Sequence, residues 1–290
     1  MIARKLMALL LAAMMLCAAA SAEENTGAKP VLQPTMIPEN TFVDLDLDGD
    51  GVTEKVYWKD MPVDEYSVRC VVIVATSSGS MLTFEPEYEY TTCAYAADLD
   101  GDGRAEFLIS GDQASSDYIT YCLHLFNGRI EPAMFADCSR VNYNRGYDKH
   151  GYGEISAIEG NTLTLSGSQD ILGTWFGKRA FTLADTGVFE FADDGKWVRE
   201  EIEMDSELWE YLGLVTIVKV RYTAPDGSPA ELPAGTRLMV TASDKQTADF
   251  VTDNGIRGTF EISPDDLSGW GFYVDWKPES QVFAYVPYAD

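Results

Sequence analysis

Short apolar runs occupy most of the chain from residue 42 onward, many of them alternating with polar residues and each ended by Gly, Pro, Asn or Asp. Stretches such as VRCVVIVAT (68–76), ITYCLHLFNG (119–128) and NTLTLSG (161–167) are rich in β-branched and aromatic residues, which is typical of strands. Asn127 and Gly128 are a favoured pair for a two-residue hairpin turn. The pattern predicts an all-β protein.

One segment departs from this pattern. DSELWEYLG (205–213) predicts a single short helical connector, with Asp205 or Ser206 as N-cap and Gly213 as the C-terminal stop. After it come four closely spaced strand-like runs, LVTIVKVRYT, TRLMVTAS, ADFVT and IRGTFEI. Short strands joined by Gly- and Pro-rich turns favour a small β-barrel over residues 214–290.

The chain contains an internal duplication at an offset of 52 residues. DLDGDGVTE (46–54) returns as DLDGDGRAE (98–106), and 10 of 29 positions are identical when 46–74 is aligned with 98–126 without a gap. Each copy runs from an acidic loop into an apolar strand and, after a polar stretch, into a second strand. A fixed period indicates a repeat architecture, so we expect residues 42–204 to form one β-rich region of about three units.

The third unit is expected near residues 147–160. Asp148, His150 and Tyr152 stand there at the positions that hold aspartates in the other two copies. We therefore expect that the third unit has lost its ion site.

The acidic loops contain the oxygen donors that calcium prefers. Ca²⁺ takes six to eight oxygen ligands, and Asp at alternating positions around a Gly turn supplies several of them from one short loop. We expect about two calcium ions on this ground, although solvated turns that bind nothing are the alternative. The expected ligands are the side chains of Asp46, Asp48, Asp50 and Glu54 with the Val52 carbonyl, and the side chains of Asp98, Asp100, Asp102 and Glu106 with the Arg104 carbonyl.

The end of the motif distinguishes between two kinds of calcium loop. An EF-hand or dockerin loop closes with a carboxylate at its twelfth position and continues into a helix. Tyr57 and Ile109 occupy that position here, and closure falls instead at the ninth position, on Glu54 and Glu106. DxDGDGxxE leading into a strand and repeating resembles the FG-GAP and VCBS repeats of calcium-binding β-propellers. Because a full propeller of that family has more units than residues 42–204 supply, the resemblance implies a partial or small β-propeller-like region.

The C-terminal region has its own resemblance. LPAGTRLMV and GIRGTFEI place a Gly turn before one strand and a Gly-rich lead before another, which resembles bacterial Src-homology-3-type barrels. That resemblance implies a domain that binds peptide, cell-wall or protein partners, and it assigns no ligand residue.

The N-terminus predicts export. Two basic residues precede an apolar run of 11 residues and a small-residue motif that ends at Ala22, so residues 1–22 are expected to be a signal peptide cleaved after Ala22. The run is shorter than the roughly 20 residues that span a bilayer. Lipid attachment at Cys17 is disfavoured by the large residues before it. Residues 23–41 contain three prolines and predict an extended linker.

The formal charge narrows the class of partner. The chain carries −26, and removal of Arg4 and Lys5 with the signal peptide leaves −28. This charge disfavours nucleic acid and anionic membrane surfaces. We expect a secreted protein, free or associated with the cell surface, whose partner is an extracellular protein, a cell-wall component or a glycan.

Four cysteines remain after loss of the signal peptide. An even number in an exported chain predicts disulfides, with three connectivities open, and four buried thiols are the alternative. The chain has no CxxC pair, which disfavours a zinc or thioredoxin-type site. The four are Cys70, Cys93, Cys122 and Cys138.

No motif predicts a catalytic site. His124 and His150 are the only imidazoles, and His124 alternates with leucines in a strand, which favours a partly buried structural role. The chain has no GxSxG, HExxH or phosphate-binding glycine loop. We therefore expect a non-enzymatic, calcium-stabilised protein of extracellular recognition or adhesion, and the alternative is a secreted carbohydrate-active enzyme whose calcium is structural.

Overall fold

The computed structural model describes residues 32–63, 68–113, 117–137, 146–200, 207–264 and 271–289. Strands account for nearly all of the regular structure in these ranges, which confirms the predicted all-β class. The strands up to residue 137 are β1 (Thr35–Met36), β2 (Val43–Leu45), β3 (Glu54–Pro62), β4 (Val68–Ala75), β5 (Met81–Phe84), β6 (Tyr90–Ala97), β7 (Glu106–Asp112), β8 (Tyr118–Phe126), β9 (Arg129–Pro132) and β10 (Met134–Asp137).

The remaining strands form the second half of the fold. They are β11 (Gly146–Asp148), β12 (Gly151–Tyr152), β13 (Glu154–Glu159), β14 (Thr162–Asp170), β15 (Thr174–Leu183), β16 (Val188–Phe191), β17 (Trp197–Arg199), β18 (Leu214–Val215), β19 (Val220–Thr223), β20 (Pro229–Leu232), β21 (Arg237–Ser243), β22 (Thr247–Thr252), β23 (Arg257–Pro264), β24 (Phe272–Val274) and β25 (Lys277–Pro278).

Two short helices interrupt the strands. Helix α1 (Glu207–Leu212) lies in the segment where the sequence predicts one, and it ends where the Gly213 N–H donates to the Trp209 carbonyl at 3.1 Å. The two candidate N-cap residues lie outside the described residues. Helix α2 (Glu279–Val282) is a single turn that buries Val282, and no helix is predicted there from the sequence.

Two antiparallel meanders contain the acidic loops. The first runs in chain order β2-β3-β4-β5 and the second β6-β7-β8-β9, with β1 added beside β6 and β12 added beside β8. The β8–β9 hairpin turns at Asn127 and Gly128, whose φ angles are 49° and 71°, and Phe126 pairs with Arg129 across it. The predicted turn is therefore present.

The third sheet is the largest and contains every strand from β10 to β25 except β12. Its strands are antiparallel apart from the pair β10 and β16. Trp197 on β17 pairs with Ser243 on β21, so the sheet continues from the strands before α1 into those after it. The pairings among the described residues close no sheet into a barrel or a ring.

Strand β7 lies between β6 and β8 in the second meander and is buried along its whole length. Phe107 and Ile109 pack into the core shared with the first meander, through Val56 and Val72. Leu108, on the opposite face, packs into the core shared with the third sheet. A strand that is buried on both faces is apolar at consecutive positions, which explains the unbroken run FLI after the second acidic loop.

The cysteines are thiols in the part of the chain that the structure describes. Cys70 and Cys122 are fully buried, one in each core, and Cys93 is half-buried. Burial raises the pKa of the Cys70 thiol to about 12. The predicted disulfides are not formed among these three residues, and Cys70 and Cys122 lie in different cores. Cys138 lies outside the described residues.

We expect Phe181→Ala to lower the free energy of unfolding by about 3–5 kcal/mol, because Phe181 is 2% exposed and stacks edge-on against Phe135 at 5.5 Å. Urea unfolding measures this change. Phe176→Ala on the same strand is the matched control, since that side chain is 51% exposed and its loss should cost less than about 1 kcal/mol. Equal losses from the two variants would contradict the assigned orientation of β15.

Candidate metal centre

Each acidic loop connects two neighbouring strands of a meander. Asp46 directly follows β2 and Glu54 begins β3, where Glu54 pairs with Leu45. The second loop joins β6 to β7 in the same way, with Glu106 paired to Ala97. The sheet thus fixes both ends of each loop, and in the second loop it brings the first and last carboxylates, Asp98 and Glu106, within 4.8 Å of each other.

Backbone N–H groups brace the first loop by donating to its own carboxylates. Such bonds bend the chain around the acidic side chains. Gly49 and Gly51 have φ angles of 79° and 90°, a conformation that glycine adopts without strain. The bonds are Gly49 N to Asp46 Oδ1 (2.8 Å), Gly51 N to Asp46 Oδ2 (3.1 Å), Asp50 N to Asp48 Oδ1 (3.1 Å) and Val52 N to Asp50 Oδ1 (2.7 Å).

The second loop makes the same four bonds at positions 52 residues later. The two loops therefore share one backbone conformation as well as one sequence. The bonds are Gly101 N to Asp98 Oδ1 (2.8 Å), Gly103 N to Asp98 Oδ2 (3.2 Å), Asp102 N to Asp100 Oδ1 (3.1 Å) and Arg104 N to Asp102 Oδ1 (2.7 Å).

The closing glutamates are the most deeply buried acids of the two loops. Glu54 is 1% exposed and Glu106 is fully buried. Glu54 Oε2 accepts the Leu47 N–H at 3.0 Å, and Glu106 Oε2 accepts the Leu99 N–H at 2.6 Å. Each glutamate therefore holds the start of its own loop.

The other oxygen of Glu106 has no partner. Oε1 is buried and accepts no hydrogen bond from any described residue. A buried carboxylate oxygen without a partner is costly, because the charge has lost its water and gained nothing in exchange. The pKa of Glu106 is raised to about 8: burial is the main cause, the nearby carboxylates of Asp100 and Asp98 contribute, and the Leu99 N–H acts in the opposite direction. A cation at this point would remove the cost.

Three carboxylates converge in each loop. Oxygens of Asp98, Asp100 and Glu106 lie within 4.8 Å of one another in the second loop. In the first loop the converging residues are Asp46, Asp48 and Asp50, again within 4.8 Å. The donor set consists entirely of oxygen atoms, which suits a hard divalent cation such as calcium.

The structure does not bring every predicted ligand into these clusters. Glu54 lies beside the first cluster rather than within it, although burial raises its pKa to about 7 with further contributions from the loop aspartates. Asp102 lies outside the second cluster because its Oδ2 accepts a hydrogen bond from Arg104 Nε. The backbone at Val52 is fixed by Asp50, and the backbone at Arg104 by Asp102.

Arg104 is the main difference between the two loops. Its guanidinium pairs with Asp102 and lies 3.7 Å from Asp100 Oδ2, whereas Val52 holds the equivalent position in the first loop and is half exposed. The stem of Arg104 also covers the first loop, because a Cβ added to Gly49 would lie 2.7 Å from Arg104 Cγ. The second loop thus has an internal cation that competes for two of its carboxylates.

The two loops are in direct contact through the backbone. The Ala105 N–H donates to the Asp46 carbonyl at 2.8 Å. Leu125 N–H donates to the Leu47 carbonyl at 3.4 Å, which ties the first loop to β8 as well. The two acidic loops, which belong to different sheets, therefore lie next to each other.

The third, degenerate loop holds no carboxylate cluster among the described residues. His150 Nδ1 lies 3.8 Å from Asp148 Oδ1, and its ring contacts those of Tyr121 and Tyr152 at 5.6 and 5.0 Å. The His150 ring thus packs against aromatic rings in this loop, whereas carboxylates converge in the other two loops.

The second histidine, His124, is largely buried. Burial lowers the pKa of His124 to about 4, with Arg104 adding to the effect, and its Nε2 lies 3.6 Å from Cys122 Sγ.

The sequence does not reveal a cleft of about 390 Å³ elsewhere in the fold. Its walls come from residues between Gln113 and Lys245, which the sheets bring together from six separate segments. No spacing along the chain indicates that grouping.

No family model matches this chain, and neither a curated protein nor a solved structure matches it. Within the described ranges, no helix has the length and apolar character needed to cross a membrane.

Without bound metal, Glu106 should make stability fall as pH rises. Its pKa of about 8 in the folded chain exceeds the ordinary value of 4.5, so its contribution is complete below about pH 4.5 and is lost by about pH 8. In chelator, the difference in melting temperature between the native chain and Glu106→Gln should shrink or reverse over that range. Glu131→Gln, at an exposed position on β9, is the control for the substitution itself. A pH-independent difference for Glu106→Gln would contradict the assignment.

Proposed function

We propose that this protein is a secreted, calcium-stabilised, non-enzymatic protein of extracellular recognition or adhesion. The observation that carries the calcium proposal is the unpartnered, fully buried Oε1 of Glu106 beside Asp98 and Asp100. A solvated acidic turn would leave its carboxylates in water, whereas the second acidic loop buries the Glu106 carboxylate at the start of β7.

Calcium would supply the positive charge that these loops lack. The second loop would hold it through Asp98, Asp100 and Glu106, and the first through Asp46, Asp48 and Asp50. Asp48 and Asp50 each use one oxygen for the turn, and the other takes part in no hydrogen bond with a described residue. The remaining proposed ligands are the side chains of Glu54 and Asp102 and the carbonyls of Val52 and Arg104.

We propose that residues 42–204 are related to FG-GAP and VCBS repeats and form a partial propeller-like arrangement. The packing of the meanders against their neighbours supports this proposal. Adjacent blades of a propeller pack face to face, and β7 contributes one face to the first meander's core and the other to the third sheet. We further propose that residues 214–290 belong with Src-homology-3-type barrels, on the basis of the antiparallel order β18-β21-β22-β23-β19-β20.

Export is proposed from the N-terminal sequence, and charge restricts the partner. A formal charge of −28 after removal of the signal peptide favours a protein, cell-wall or glycan partner over nucleic acid or anionic lipid.

A secreted carbohydrate-active enzyme is the second candidate. It is favoured by Asp117 and Asp170, which line the same cleft; burial raises the pKa of Asp117 and Asp170 adds to that rise. Reducing-end analysis after incubation with polysaccharides distinguishes the two proposals, because release of products would make the protein an enzyme.

Calcium should bind at about two sites and raise the melting temperature. At a hundredfold excess over Kd, one site adds about 2.7 kcal/mol to the free energy of unfolding. Titration calorimetry and thermal unfolding of the chain without residues 1–22 measure both effects. The variant Asp48→Ala with Asp100→Ala should bind no calcium, whereas Asp44→Ala should bind as the native chain does, because Asp44 is exposed and paired with Lys55 at 2.8 Å. An identical melting temperature in calcium and in chelator would overturn the proposal.

Arg104→Val should strengthen the second site. The change releases Asp100 and Asp102 from the guanidinium, and a partly exposed pair of this kind is worth about 0.5–1 kcal/mol, or roughly two- to fivefold in affinity. Val52→Arg is the reciprocal variant and should weaken the first site by a similar factor. Calorimetry at low salt resolves both changes. If neither variant alters calcium affinity, Arg104 does not compete with the cation.

A further inference from the structure

The cleft of about 390 Å³ lies where the second meander meets the third sheet. Tyr118 comes from β8, Tyr152 from β12, Gln169 and Asp170 from the end of β14, and Arg179 from β15. Its volume falls within the roughly 300–1,000 Å³ of typical ligand pockets. The cleft is separate from both acidic loops.

Two glycines give the cleft its floor. Gly153 has a φ of 106°, and a Cβ at that position would lie 2.9 Å from the Ser166 carbonyl oxygen. A Cβ on Gly167 would lie 3.3 Å from the Gly153 Cα. Strands β12 and β14 can therefore approach closely only without side chains at these two positions, and the space above them remains open.

Arg179 is held in place by aromatic rings. Its guanidinium carbon lies 5.1 Å from the Phe191 ring centroid and 4.6 Å from that of Trp197, and the residue is 6% exposed. A cation fixed in this way offers directed N–H donors without a further cost in side-chain entropy.

The cleft is lined by hydrogen-bond donors and acceptors, and the formal charges of its lining side chains are nearly balanced. Three aspartates and two cations face the cleft, so their formal charges almost cancel although the chain as a whole is strongly acidic. The amide of Gln169 and the hydroxyls of Tyr118 and Ser168 add neutral groups that both donate and accept. A ligand whose own groups donate and accept at many points matches such a lining.

We propose that this cleft binds a neutral saccharide, a short segment of an extracellular glycan. Sugar hydroxyls both donate and accept, as the lining requires, and Tyr152, 43% exposed on the wall, offers a ring face for the apolar side of a pyranose. An acidic saccharide is disfavoured, because the formal charge of the cleft lining is slightly negative and that of the whole protein is strongly negative. This inference rests on the proposed recognition function and assigns it a ligand class and a site.

The test uses calcium-loaded protein without residues 1–22 and titrates it with cellohexaose, xylohexaose, mannohexaose and chitohexaose, with oligogalacturonate as the acidic probe. At least one neutral hexasaccharide should bind, and oligogalacturonate should bind at least tenfold more weakly. Tyr152→Ala and Gln169→Met should each reduce that affinity at least tenfold. Tyr211→Ala is the matched control, because Tyr211 is 75% exposed on α1 and does not line the cleft.

Melting temperatures in calcium show whether each variant is folded, and a folded variant with lost binding supports the site. Binding by none of the neutral probes, binding unaffected by both cleft variants, or stronger binding of oligogalacturonate overturns the inference. Calcium titration is read separately, so a protein that binds calcium but no saccharide disproves the glycan site alone. Saccharide binding with no calcium binding disproves the calcium proposal alone, and release of sugar products disproves the non-enzymatic role while retaining the ligand class.

Discussion

Electrostatic repulsion within the acidic loops is the constraint on which the rest of the fold depends. Glu106 begins the central strand, its carboxylate is fully buried, and the carboxylates of Asp98 and Asp100 lie within a few ångströms of it. A charge in that position must be neutralised by a proton or by a cation, because water does not reach it. The Glu106 side chain also accepts the Leu99 N–H, which lies in the connection between β6 and β7. The proton or cation that neutralises Glu106 therefore also stabilises that connection.

That connection determines how the three sheets pack. Strand β7 supplies side chains to both major cores, so its position determines how the first meander and the third sheet stack against the second. The continuity of the third sheet from β17 into β21 then extends this dependence to the strands after α1. The conformation of the acidic loop at the start of β7 therefore affects packing well beyond its own sheet.

The sequence predicted the parts of the structure that are determined locally. The strands around 68–76 and 119–128 and the hairpin at Asn127 follow from side-chain period and turn chemistry, and the carboxylate clusters follow from close spacing in one loop. The all-β class followed from the same signals.

The features that depend on distant partners were not predictable from the sequence. Asp102 lies outside the second cluster because it accepts a hydrogen bond from Arg104, and the motif does not specify the direction of the Arg104 side chain. Cys70 and Cys122 remain thiols rather than forming a disulfide with each other because their strands place them in different cores. The cleft combines segments more than a hundred residues apart, so only the register of the sheets reveals it.

The hydrogen bond from Ala105 to the Asp46 carbonyl gives the duplication a consequence beyond the number of sites. The residue that donates stands next to the Glu that closes one loop, and the residue that accepts begins the other, so ordering either loop restricts the other. In the proposed calcium-bound protein, two loops coupled in this way would share part of the conformational entropy lost on ordering, so the first ion bound would lower the cost of binding the second. The duplication would then make the two sites one cooperative unit, with a steeper response to the free ion concentration than either loop alone.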